Sequence, residues 1–295
     1  MSKRKLLLLY FVFLSFVLLQ AQVADMQALP AFDYKKINKG KLYIFVGWNW
    51  DHYTKSDIHF KGRDHDFTLY NVKAQDRNTP FSASVYLNPS RLSIPQTNLK
   101  IGYYFHHNWN LAFGLDHMKY VVENYQEVSI EGEINGATVF DGSYQDDEIT
   151  LYPSFLQYEH TDGLNFVHFE INRVDRILKT KFFDINLSEG FSLGALVPRS
   201  DVVLLGGEEW DKYHLAGYGT ALKVGVNLCF FNYFHIQSEL KGGFIHLPDV
   251  KTTPYKEDKA SQHFFFSQHN ILFGAVFPII KKEKRVSPVK TKLKD

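Results

Sequence analysis

GYGTALKVGVNLCFFNYFHIQSELKGGF, residues 217–244, changes chemical character at every step. Tyr218, Leu222, Val224, Val226 and Leu228 fall on one side of an extended chain, against Gly217, Gly219, Ala221, Lys223, Gly225 and Asn227 on the other. Successive side chains of a strand point to opposite faces, so period two reads as strand and not as helix. The alternation resumes after a short turn at Phe231–Tyr233, with Phe234, Ile236, Leu240 and Phe244 opposing His235, Gln237, Glu239 and Lys241.

The same pattern recurs elsewhere. Leu99, Ile101, Tyr103 and Phe105 oppose Asn98, Lys100, Gly102 and Tyr104; Phe183, Ile185, Leu187, Phe191 and Leu193 oppose Asp184, Asn186, Ser188, Gly190, Ser192 and Gly194. In a soluble sandwich the bulky faces share a core and the polar faces meet water. Here the second face is rich in Gly, Ser and Asn with occasional charges, which suits a crowded polar interior enclosed by strands whose apolar face meets acyl chains. Trp48, Trp50, Tyr103, Phe105, Trp109, Phe230, Phe231, Tyr233 and Phe234 gather near predicted strand ends, as an interfacial girdle requires. The expected fold is all-β, an antiparallel transmembrane β-barrel. Mean hydropathy of −0.24 is too polar for a bundle of membrane helices but not for a barrel, where only alternate residues need be apolar.

Loop lengths set the strand count. His106–Asn108 and Phe231–Tyr233 read as short periplasmic turns, and residues 51–65, 124–135, 199–213 and 247–261 as long outer loops. With Thr161–Asn165 taken as an outward turn, about ten strands leave the chain between Asn110 and Arg199 on the wrong side. Weak strands near Phe81–Leu87 and Ala137–Tyr144, with a periplasmic turn at Gln145–Glu148, restore parity at about twelve, within a range of eight to twelve. Glu189 breaks the alternation, which a bulge at Gly190 or a position at the membrane rim accounts for.

The amino terminus carries Lys3, Arg4 and Lys5 ahead of an apolar stretch, Leu6–Leu19, broken only by Ser15. That length and the Leu19-Gln20-Ala21 end fit an export signal over residues 1–21 and Sec-type export. Residues 22–40 then form an N-terminal periplasmic segment, 41–280 the barrel, and 281–295 a basic periplasmic tail. Removing the signal takes three of the 33 Lys and Arg away and leaves 30 against 32 Asp and Glu, a near-neutral chain with nothing directed at nucleic acid. The single Cys229 excludes an internal disulfide framework. Expected partners are outer-membrane lipid, lipopolysaccharide and the barrel-assembly machinery; no cofactor is assigned.

The segments Tyr53-Thr54-Lys55-Ser56-Asp57-Ile58-His59-Phe60, Asp116-His117-Met118-Lys119-Tyr120 and Glu159-His160-Thr161-Asp162-Gly163-Leu164-Asn165 together resemble a poorly characterised group of outer-membrane β-barrel proteins of Bacteroidota-type Gram-negative bacteria. The resemblance implies fold and compartment, the outer membrane, and no transferable activity.

Four sets of residues are candidates for function. Lys100, Glu170, Asp184, Lys223, His235, Glu239 and Lys241, with Asp116, fall on the interior face; such charges must be paired or wetted, so they either bridge and plug the lumen or line a narrow aqueous path. His160 and Asp162, with Asp116 and His117, offer a histidine base and an orienting acid near the outer rim. This set is similar to that of the outer-membrane lipid A deacylases, where a serine nucleophile follows the histidine by two residues; here that place holds Asp162, which removes the nucleophile. His52, His59 and His65 with Asp51, Asp57, Asp64 and Asp66 match no compact metal motif, and no metal is assigned. The acidic run Glu123, Glu127, Glu131, Glu133, Asp146, Asp147 and Glu148 reads as a solvated face, with cation bridging to lipopolysaccharide as the alternative. The functional reading is a narrow channel, binding protein or structural component of the envelope, with an outer-leaflet lipid hydrolase as the alternative.

Overall fold

Alternation becomes strand nearly throughout. The computed structural model describes residues 38–86, 88–91 and 94–279; the export signal, most of the N-terminal segment and the basic tail lie outside them. Eight strands, β1 (Lys41–Tyr53), β5 (Thr97–Tyr103), β6 (Trp109–Val122), β9 (Leu156–Lys179), β10 (Phe183–Leu196), β13 (Gly217–Phe230), β14 (Phe234–Lys251) and β15 (Lys259–Pro278), pair antiparallel in that order. β15 then pairs with β1 and closes the ring. Stepping across the ladder from His52 passes Ser267, Gly242, Leu222, Phe191, Ile171, Leu111 and Tyr103, and returns to β1 at Leu42, ten residues from its start. Ten residues of rise against eight strand spacings give a tilt of roughly 40°, a barrel just wide enough for side chains to fill.

Eight is the lower end of the expected range, and the reason lies in β9. Thr161–Asn165 is not a turn. β9 runs through it as one strand of 24 residues, and the register against β6 slips between Met118 and Tyr120, where β9 carries extra residues. Gly163, at φ 117°, supplies the left-handed backbone such a bulge demands. Without that turn parity closes at eight. Of the strand expected near Phe81–Leu87, Leu87 lies outside the described residues and Phe81–Tyr86 is not strand, since a single helical turn occupies Ala83–Tyr86 between Pro80 and Pro89. Ala137–Asp141 is a loop, and Gln145–Glu148 lies in a strand far from the turns.

The regions expected as long outer loops are themselves built of strands. β2 (Ser56–Lys61), β3 (His65–Val72), β7 (Glu127–Ile134) and β8 (Gly142–Thr150) extend the sheet in sequence from the start of β15. β11 (Arg199–Leu204) and β12 (Trp210–Tyr213) attach to β9, and the two-residue β4 (Ala74–Gln75) attaches to β6. β8 ends the sheet path and exposes Gln145, Asp146, Asp147 and Glu148, charges that guard an edge against further pairing.

The ring's outer face is a belt of Ile44, Val46, Leu99, Ile101, Leu111, Phe113, Phe169, Ile171, Phe191, Leu193, Leu222, Val224, Val226 and Leu240, all exposed. Exposed Tyr103, Phe105, Trp109, Phe231, Tyr233 and Phe234 edge the belt at the turn end. Trp48 and Trp50 are half-buried higher on β1, Trp48 against Tyr86 and Phe273. Glu189 is exposed opposite Arg173; the β9–β10 irregularity falls at Ile185/Asn186 and not at Gly190.

Two apolar cores sit inside. At the extended end Phe60, Phe67, Tyr120, Phe155, Tyr158, Phe166, Phe264 and some twenty more buried residues join one cluster. At the turn end Tyr43, Phe45, Tyr104, Ala112, Leu272 and Val276 form a smaller plug. Tyr43 lies flat across Gly102, where an added Cβ would meet its ring at 2.2 Å, and donates its hydroxyl to Asn110 Oδ1 at 2.7 Å. Gly102→Ala is therefore expected to lower unfolding stability by about 1–3 kcal/mol through overpacking, read as a reduced urea midpoint in detergent; an unchanged midpoint would mean that the ring can move aside.

Candidate functional site

Between the two cores, at the height of the apolar belt, the inner face carries charge. Lys100 lies between outward Leu99 and Ile101, Glu170 between Phe169 and Ile171, and Lys223 between Leu222 and Val224, while Glu239 and Lys241 flank Leu240. Strand alternation alone turns all five into the barrel. Lys100 Nζ donates to Glu239 Oε1 at 2.5 Å and lies 3.5 Å from Glu170 Oε2. Lys223 Nζ reaches Glu170 Oε1 at 2.5 Å and Glu239 Oε2 at 3.2 Å. Lys241 bonds Asp116 and stands 4.0 Å from Glu170.

Three lysines thus meet three carboxylates in one charge-balanced layer. Amides complete two of the carboxylates, Gln237 and Asn270 donating to Glu239 and Asn98 to Asp116, while Glu170 Oε2 has only the Lys100 and Lys241 ammonium groups, at 3.5 and 4.0 Å. Such pairing is what buried ions require, because an unpaired charge in a dry interior costs several kcal/mol. Asp184 and His235 lie nearer the turn end, Asp184 3.5 Å from Arg176 and His235 Nδ1 2.8 Å from Asn227 Oδ1. His168, its Nε2 3.2 Å from Asp116 Oδ2, also belongs to the layer; its place two residues before Glu170 was the available signal. Beneath the layer, Asn110, Asn172, Ser188, Asn227 and Gln237 line a chamber with space on the order of a single water.

The rim set does not assemble. His160 is fully buried between the rings of Tyr120 and Tyr158, and neither ring nitrogen has a hydrogen-bond partner. Burial pushes its pKa down to about 3, so it is neutral. The bulge at Gly163 turns Asp162 outward, 60% exposed and 2.5 Å from Arg199, whose other branch holds Asp211 at 2.5 Å. Asp116 points into the lumen, and its neighbour His117 necessarily faces the other way, Nδ1 2.9 Å from Asn165 Oδ1.

His52, His59 and His65 are equally dispersed. His59 meets Asp66 at 2.7 Å, His65 packs on Phe67, and His52 is exposed. Among the described residues, no group of three or more His, Cys, Asp or Glu is placed to hold a metal ion. Glu127, Glu131 and Glu133 lie on β7 and Asp146–Glu148 on β8, largely solvated, with Tyr70 donating to Glu131 at 3.0 Å.

No protein-family model matches the sequence, and no curated protein matches it. Among solved structures the chain is similar to Ail, the attachment invasion locus protein of Yersinia pestis, at 11% identity and a TM-score of 0.31, over 81% of this chain and 99% of that one. It is similar to the outer membrane protein OprG of Pseudomonas aeruginosa at 11% identity and 0.37, over 83% and 99%. The outer membrane protease OmpT of Escherichia coli aligns at 8% identity and 0.38, over 84% and 99%.

Proposed function

We propose that this chain is a non-conducting barrel of the Gram-negative outer membrane, exported by a Sec-type signal, whose working part is the strand-built outgrowth at its extended end. The belt and girdle support membrane residence, and the start of β1, the end of β15 and the short turns, all at one end, support a periplasmic position for that end. One observation carries the function: along the barrel axis an aromatic plug, a layer of paired charges and a large apolar core follow one another. A barrel so filled holds up a surface and does not pass solutes, which makes it a binding or structural component of the envelope in contact with lipopolysaccharide. Lys100, Glu170, Lys223, Glu239 and Lys241 would then be scaffold and not selectivity residues.

Reconstitution in planar bilayers tests this. Wild-type protein that shifts its gel mobility on heating, as folded barrels do, should give no conductance steps. Stable unitary steps from the same sample would overturn the proposal.

A further inference from the structure

Glu189 faces the wrong way for a charge. Strand alternation sets it on the outer face of β10 with Leu187, Phe191 and Leu193, and it is exposed. Its cross-strand partners are Arg173 on β9 and Val224 on β13, and Arg173 is in turn the partner of Trp109, a girdle residue. One rung therefore runs Trp109, Arg173, Glu189, Val224, climbing away from the turn end. Two strand spacings on a rung inclined roughly 40° lift Glu189 about 6 Å above Trp109, inside the apolar belt.

A carboxylate turned toward acyl chains is destabilising unless a partner reaches it. Ser238 and His269, also turned out of the ring, hydrogen-bond each other at 3.0 Å. Glu189 has no such answer. Arg173 pairs with Asp175 instead, Nε to Oδ2 at 2.6 Å, and among the described residues Glu189 makes no hydrogen bond or ion pair. Charges of both signs thus stand side by side on an apolar wall, framed by Phe169, Ile171, Phe191, Leu193 and Leu222, all exposed.

That wall is complementary to itself. Two copies in one membrane point the same way, so a twofold axis between them runs along the membrane normal, and each side chain meets its partner's surface at its own depth. Glu189 and Arg173 lie one strand spacing apart, roughly 3 Å in depth, which two long side chains can span. We propose that the β9–β10 wall docks against the same wall of a second copy, Glu189 of each protomer pairing with Arg173 of the other across the axis. The apolar frame supplies contact area, and the two exchanged ion pairs fix which wall is used. The proposal rests on the membrane reading above.

The full-length barrel, sedimented in density-matched detergent, tests it, with heat-shifted gel mobility showing that each sample is folded. Wild type should sediment as a dimer. Glu189→Arg and Arg173→Glu each oppose like charges across the axis and should weaken self-association on the order of tenfold or more. Mixed in equal amounts, the two variants should recover a dimer, because one brings two cations to the contact and the other two anions. An ion pair within a single chain cannot produce that rescue. Should Arg173→Glu fold poorly beside Asp175, Glu189→Arg alone decides. Folded wild type that sediments as a monomer would overturn the dimer while leaving the barrel intact, with a lipid ammonium headgroup as the partner of Glu189. Single variants that dimerise like wild type, or a folded mixture that stays monomeric, would overturn it as well. A wild-type chain that shows no heat shift and stays soluble without detergent would remove the membrane reading and the dimer together.

Discussion

Glu239→Gln is expected to destabilise the barrel by about 3–5 kcal/mol, the cost of stripping one partner from a desolvated ion network. Glu239 receives Lys100 at 2.5 Å and Lys223 at 3.2 Å. The near-isosteric amide keeps the volume and leaves three lysines facing two carboxylates, with one positive charge unanswered in the middle of the belt. Lys100→Met combined with Glu239→Gln restores the balance, so the double variant should recover a substantial part of the loss despite removing a second native group. The measurement is the urea midpoint in detergent micelles for both single variants and the double, read as a mutant cycle. A Glu239→Gln barrel within about 1 kcal/mol of wild type would mean that water reaches the layer, and the closed-lumen reading would fail with it.

The second large effect is a pH response in the outgrowth. His160 is held neutral down to about pH 3 by burial, whereas an unfolded histidine takes up its proton near pH 6.5. The unfolded state therefore binds more protons throughout that interval. His160's contribution to stability is fully present above about pH 6.5 and drains as the pH falls toward 3, by about 3 kcal/mol at pH 4 and about 4 at pH 3. His65, also pulled down by burial, works in the same direction. Asp66, Asp141 and Asp249, with pKa values below the ordinary carboxylate range, lose their partners only under more acidic conditions. His160→Phe should fit the cleft between Tyr120 and Tyr158 and flatten stability between about pH 6.5 and 4. Aromatic fluorescence followed through urea titrations at both ends of that range decides it; a variant as acid-sensitive as wild type would shift the responsibility to other groups.

The ring was legible because lipid on one side and a crowded lumen on the other force strict alternation, as in Leu222–Lys223–Val224 and Leu240–Lys241. Where one of those constraints lapses, the pattern lapses. Above the belt, β9 passes through Glu159–Asn165 between an apolar core and water, and the hydrophilic run around its bulge mimics a turn. β2, β3 and β7 bury Ile58, Phe60, Phe67, Leu69 and Ile130 completely, yet their polar partners are ordinary loop residues, so the strands looked like loops. Interior placement of Lys100, Glu170, Lys223, Glu239 and Lys241 followed from parity. Their pairing did not, because it depends on the ten-residue stagger that sets which strands face each other across the lumen. The rim set failed for the same kind of reason: adjacency of Asp116 and His117 guarantees opposite directions, and the extra residues near Asp162 cannot be seen until the neighbouring strand is known.

One seam governs how such a molecule comes into being. Lys41 to Tyr53 are zipped to Phe266 to Pro278, so the first and last strands of the circle are also its first and last to be made. Until the final stretch of polypeptide has been delivered, both margins stay unzipped, each a row of bare amides and carbonyls inviting a stranger. Whatever escorts the newborn chain must guard two open lips more than two hundred residues apart in sequence, and can let go only when they meet.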